Sequence, residues 1–292
     1  MAKLTGCLLM LVLAVSSARG AVEFTPCKNN MAPEQQIRLG DRVAQQVYQQ
    51  MPVLPDSSPV TAYVRDLGER LVAVAPGYRW PYRFHVVNMA EINAFALPGG
   101  EVFVNLGAIQ AAESEAQLAG AMAHEISHVV LQHSACNAEK QQRVGLLAGL
   151  GQIAAGVLLG GAAATAAQQG IGLTAGQDSD VDLGQADLEG ARIAYNAGFD
   201  PRGLPQFFQI IEAKTGAGGS QFLSDHPNPG NRTEYVTREI ASFPPRSDLV
   251  KTSPEFERTK DAVIIMHAYT AKEVASGVWK RESPKQLVGG SD

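Results

Sequence analysis

Nothing in this chain is built to track a phosphate backbone. Its 24 lysines and arginines stand against 29 aspartates and glutamates, a net charge of −5. No Lys/Arg run is long enough to follow a strand, so the expectation is no nucleic-acid partner. Cysteine is scarce as well, with three in the chain. Cys7 falls in an N-terminal stretch with the marks of a secretory leader: Lys3, an apolar run from Leu8 to Val15, then Ala18-Arg19-Gly20 with small residues at the cleavage-defining positions. That run is too short to span a bilayer comfortably. Residues 1–20 therefore read as a signal peptide that is removed, and the location as periplasmic or secreted. The thiols left in that oxidising compartment are Cys27 and Cys136, so one disulfide is possible, although sequence gives no distance between them. No internal repeat of solenoid period is present either.

Polar side chains are nearly missing from residues 145–167, where Gln152 and Thr165 are the exceptions. The length meets the threshold for a membrane span. Its residues are mostly alanine and glycine, however, and Gly160-Gly161 would loosen a helix in the middle. A packed helical pair or a flap beside a site is preferred to a span, with membrane-surface association through 145–167 left open.

What the chain does have is His124-Glu125-Ile126-Ser127-His128. Two histidines four apart on a helix share one face and can hold a single Zn²⁺. The glutamate beside the first is placed to take a proton from the attacking water. The context is helical: Ser114-x-x-Gln117 is a capping-box pattern, no proline follows before about Gln132, and Leu118, Met122 and Val129 recur at helical spacing. Ala119, Gly120, Ala121 and Ala123 leave little bulk ahead of the motif, so another backbone can pack close. The bland reading is a core helix whose histidines are only hydrogen-bonded; the spacing with an intervening glutamate favours metal.

Around it, residues 34–51 and 60–75 read as amphipathic helices, 82–87 as a strand, and 92–97 with 101–105 as a hairpin turning at Pro98-Gly99-Gly100. Further helices are expected over 184–197, 201–215 and 231–242, with one apolar helix over 262–274 and a fraying polar end. The acidic stretch Asp178-x-Asp180-x-Asp182, with Glu189 at the twelfth position, has Ca²⁺-loop spacing. Leu183 replaces the glycine that such a loop needs for its sharp turn, so a solvated acidic loop before a helix is the simpler reading.

Four blocks in this order resemble the zinc metallopeptidase family that includes the CAAX prenyl proteases, the heat-shock membrane protease HtpX and the periplasmic β-barrel assembly-enhancing proteases. They are the run from Glu91 to Gly100 followed by Val102-Phe103-Val104-Asn105; Gln117-Leu118-Ala119 through His128; Ala186-Asp187-Leu188 with Ala197-Gly198-Phe199-Asp200-Pro201; and the run from Ser224 to Arg232. The resemblance implies that His124 and His128 are metal ligands and Glu125 the general base. It implies too that Asn93 and Ala94 lie on an edge strand pairing with extended substrate. His226 would lie near the metal, stabilising the oxyanion or taking a coordination position, or else serving its Pro-rich loop alone. The chain departs from the family at one place. The family's third ligand is a glutamate four residues before the aspartate, where this chain has Leu183. Asp182 is the nearest carboxylate but is turned about 100° round the helix. Asp187 lies on about the same face and in the family acts more as an orienting partner, so the third ligand is left between Asp187 and Asp182.

The expected fold class is α+β, mainly α: a zincin-like domain over 21–250 with a small antiparallel sheet beside the metal helix, then a C-terminal extension over 251–292. The expected function is a zinc metalloendopeptidase acting on extended or misfolded polypeptides. The alternative, prompted by Leu183, is a metal-poor pseudoprotease that binds polypeptides in the cell envelope without cutting them.

Overall fold

The computed structural model describes residues 25–143, 180–215 and 231–282. The leader at 1–20, the segment 145–167 and His226 lie outside the described residues. Two helices open the fold, α1 (Pro33–Gln50) and α2 (Pro59–Val72), each with a proline in its first turn, where a missing N–H costs nothing. Strands β1 (Arg83–Val87), β2 (Ala94–Ala96) and β3 (Glu101–Asn105) follow.

The expected hairpin is present: Ala94 pairs with Val104, Phe95 with Phe103 and Ala96 with Val102, all antiparallel. Its turn requires glycine, since Gly99 and Gly100 have φ of 84° and 109°. The sheet as a whole is mixed rather than antiparallel, because β1 lies parallel to β3 on its other side, giving the order β1-β3-β2. That pairing depends on a chain crossover and has no local signal.

The sheet separates two cores. Val102 and Val104 face one side with Val64 and Leu67 of α2. Phe103, between them, faces the other side with Leu39, Val43 and Val47 of α1. On the first side stand α3 (Leu106–Ala111), α4 (Glu115–Val130), α6 (Asp180–Asn196), α7 (Gly203–Thr215) and α8 (Arg232–Ile240), with α5 (His133–Arg143) continuing beyond α4.

The expected single helix over 262–274 is corrected. Helix α9 (Pro254–Ile264) ends there, and α10 (Ala271–Ala275) and α11 (Val278–Glu282) follow separately. Between α9 and α10 the chain is held extended: Tyr269 N–H donates to Asn88 O at 3.1 Å, and Ala90 N–H donates to Tyr269 O at 2.9 Å. Thr270 and Glu273 then form a capping box that starts α10 afresh. Phe256 and Val263 enter the first core, while Val274 and Trp279 enter the second. Among the described residues no helix is long and apolar enough to cross a membrane.

Candidate active site

Helix α4 carries the motif and is buried along its whole length. Ser114 caps it as expected, its hydroxyl accepting from Gln117 N–H, while the Gln117 side chain reaches back to Glu113 N–H at 2.6 Å. The small residues ahead of the motif do admit close neighbours. A Cβ on Gly120 would lie 2.7 Å from Leu204 N at the start of α7, and one on Gly190 of α6 would lie 2.9 Å from His124 N. Helix α6 thus packs backbone-close against the first histidine.

The two histidines meet as the i, i+4 spacing requires. Their Nε2 atoms are 3.1 Å apart. Two imidazole nitrogens on one tetrahedral zinc, each at about 2.0–2.1 Å, would be roughly 3.3 Å apart, so this pair is presented at the separation a shared ion needs. His124 is fully buried, and burial pulls its pKa down to about 4 against the opposing pull of Asp187. The imidazole is therefore neutral near pH 7, the form that binds metal. Glu125, next in sequence, is buried beside the pair at 2% exposure.

Behind His124 lies a closed ionic group. Its Nδ1 is 2.9 Å from Asp187 Oδ1. Asp187 in turn accepts from Arg232 Nε at 2.8 Å and Nη2 at 2.6 Å, and from the Tyr235 hydroxyl. Burial works against the Asp187 carboxylate, but Arg232 and His124 outweigh it and hold it ionised well below the usual range. Arg232 stacks over the Phe208 ring at 4.1 Å. With its oxygens also engaged by Arg232 and Tyr235, Asp187 is placed to orient His124 through Nδ1.

Asp182 lies elsewhere. Asp180 and Asp182 lie within α6 rather than in a loop, while Asp178 lies outside the described residues. The helix runs antiparallel to α4: Gly190 and Asp187 meet His124, and Asp182 Oδ1 lies 3.7 Å from His133 Nε2. Leu183, one turn from Asp187, falls between these points and is 1% exposed. The position where the resemblance calls for a glutamate is thus a buried leucine on α6. Among the described residues no group of three or more His, Cys, Asp or Glu side chains is gathered to hold a metal. The fit to an ion thus rests on the two imidazoles and their orienting partners.

Ala94 opens the outer strand β2 and Asn93 immediately precedes it. Asn93 O accepts from Asn105 N–H and Leu97 N–H donates to Glu101 O, so in this register Ala94 and Ala96 turn their backbone groups away from β3. The Asn93 side chain accepts from Ala94 N–H at 2.9 Å, and Ser134 Oγ donates to Ala96 O at 3.4 Å.

Three neighbours of the motif and of Asp187 escaped the sequence reading. Arg232 and Tyr235 had no assigned role, although Arg232 closes the fourth resemblance block. His133 was missed because it lies past the expected end of the motif helix at about Gln132, and a residue five after His128 falls off the motif face. The helix is broken: Gln132 has φ of 59°, separating α4 from α5.

The profile of Peptidase family M48 matches residues 59–240. The β-barrel assembly-enhancing protease of Yersinia pestis is 33% identical over 212 residues, covering 68% of this chain and 42% of that protein. Its counterpart in Escherichia coli strain K12 is 28% identical over 277 residues, covering 90% of this chain and 55% of that protein. The mitochondrial metalloendopeptidase OMA1 of Schizosaccharomyces pombe is 28% identical over 224 residues, covering 74% of this chain and 65% of its own length. The chain spans about half the length of the β-barrel assembly-enhancing proteases it matches. A matched region holding the histidine pair, the buried glutamate and the aspartate behind His124 places the chain in peptidase family M48.

Proposed function

We propose that the chain is a zinc endopeptidase acting on extended or misfolded polypeptides outside the cytoplasm. The observation that carries this is the pair of Nε2 atoms 3.1 Å apart on a buried helix, with Glu125 adjacent. Zinc held by His124 and His128 would supply Lewis-acid polarisation of the scissile carbonyl and of water. Glu125 takes the proton of the attacking water and returns it to the leaving amine nitrogen. Asp187 keeps the first imidazole in its binding tautomer. An extended substrate adds to the sheet beside β2, where the outward carbonyl of Ala94 and N–H of Ala96 offer main-chain pairing. The disulfide between Cys27 and Cys136, Cα atoms 6.3 Å apart, favours an oxidising compartment such as the periplasm.

Glu125→Gln tests the proposal. Hydrolysis of an unfolded protein substrate, reduced and alkylated lactalbumin, should fall by about 10²–10⁴-fold with zinc content unchanged. Undiminished cleavage by the variant would overturn it.

Leu183 supports a second reading, a polypeptide-binding module that carries little metal. Metal analysis of the purified protein separates the two: near-stoichiometric zinc favours the peptidase, and negligible zinc with retained binding of the same unfolded probe favours the module.

A further inference from the structure

His128 also has a partner behind it, and it is not the one the resemblance supplies. His133 Nδ1 lies 3.2 Å from His128 Nδ1, and Asp182 Oδ1 lies 3.7 Å beyond His133 Nε2. His133 is 1% exposed. It follows Gln132, whose left-handed conformation breaks the chain between α4 and α5. A non-glycine residue in that region is strained by about 1–3 kcal/mol and persists where the surroundings hold it. Here they do. Gln132 Oε1 accepts from Asn29 Nδ2 at 2.8 Å and from Gln36 Nε2 at 2.9 Å. Cys27 N–H donates to Leu131 O at 2.8 Å, and Cys27 is bonded to Cys136 on α5. The N-terminal segment is thus fastened around the one kink that swings His133 back over the motif.

We infer that His133, backed by Asp182, is a positioning residue that holds His128 in the tautomer offering Nε2 to the metal. In that arrangement His128 Nδ1–H donates to His133 Nδ1, and His133 Nε2–H points to the Asp182 carboxylate. The result is a second orienting chain, metal-ligand imidazole to imidazole to carboxylate, matching in role the one from His124 to Asp187. A site with only two protein imidazoles among the described residues depends more heavily on both being held in place.

The inference rests on the metal reading, and the experiment keeps the two apart. Zinc affinity is measured by competition with a chromophoric chelator for the wild type, His133→Phe, His133→Gln and Asp182→Asn. His133→Phe should weaken zinc binding by about 10–100-fold. His133→Gln, whose amide can still accept from His128, should recover part of that loss, and Asp182→Asn should show a smaller one. In the zinc-loaded wild type, ring ¹⁵N shifts should show His128 protonated at Nδ1. Wild-type affinity retained in His133→Phe, or His128 protonated at Nε2, would overturn the role of His133 while leaving the metal site standing. If His133→Phe fails to fold, the wild-type ¹⁵N shifts and Asp182→Asn decide in its place. Absence of zinc binding by the wild type would overturn the metal reading and this inference with it.

Discussion

The two histidines of one helix are held by unlike means. Behind His124 stand Asp187 and Arg232, at 0% and 1% exposure, drawn from α6 and α8 and closed by Tyr235. Behind His128 stand a second imidazole and a carboxylate 3.7 Å further on, the Asp182 side chain being 18% exposed. The first support is made of core elements and is charge-balanced inside the protein. The second is made of a helix break and an N-terminal strap joined to α5 by the Cys27–Cys136 disulfide. One imidazole is therefore fixed by the fold itself, and the other by local geometry that substitution or reduction can loosen.

The largest expected effect tests the first support. Arg232→Met removes the cation and leaves the Asp187 carboxylate buried without its counter-charge, which should cost about 3–5 kcal/mol. Urea unfolding of the metal-free protein measures it. A loss under about 1 kcal/mol would show that the two supports do not differ in kind.

Cutting the strap comes next. Cys136→Ser opens a cross-link joining residues 109 apart. Loop entropy puts the loss at about 2–5 kcal/mol. Zinc affinity should fall together with stability, because Gln132 and His133 lose part of their clamp. Lower stability with unaltered zinc affinity would make the strap a stabiliser alone and narrow the contrast between the two sides.

The same contrast decides what could be read from the sequence. The His124 side announces itself: a capped helix, small residues before the motif, and an aspartate in a second motif block. The His128 side does not. Gln132 carries no glycine or proline signal for its left-handed turn, 133–143 read as no element, and His133 falls off the motif face until the kink is known. The break between α9 and α10 was hidden for a different reason. A capping box at Thr270 and Glu273 marks the restart, but the apolar run across 262–274 outweighs it when only periodicity is followed. The parallel pairing of β1 with β3 has no local mark, since it depends on strands far apart in sequence.

Leu183 is where the two sides meet, and it gives the smallest expected effect. It lies between the level of His124, marked by Asp187, and the level of His133, marked by Asp182, with 1% exposure. Leu183→Glu should raise zinc affinity by about tenfold, equivalent to about 1.4 kcal/mol, because a carboxylate then joins the two neutral imidazoles as a third donor. Without metal the same change buries an unpaired carboxylate, so the metal-free variant should be less stable than the wild type and should regain stability on adding zinc. Thermal melts with and without zinc, beside the chelator competition, separate these terms. If neither affinity nor the zinc dependence of melting changes, the α6 face opposite the histidines belongs to another residue, and the gap-free alignment that sets Leu183 in the place of the glutamate must be wrong.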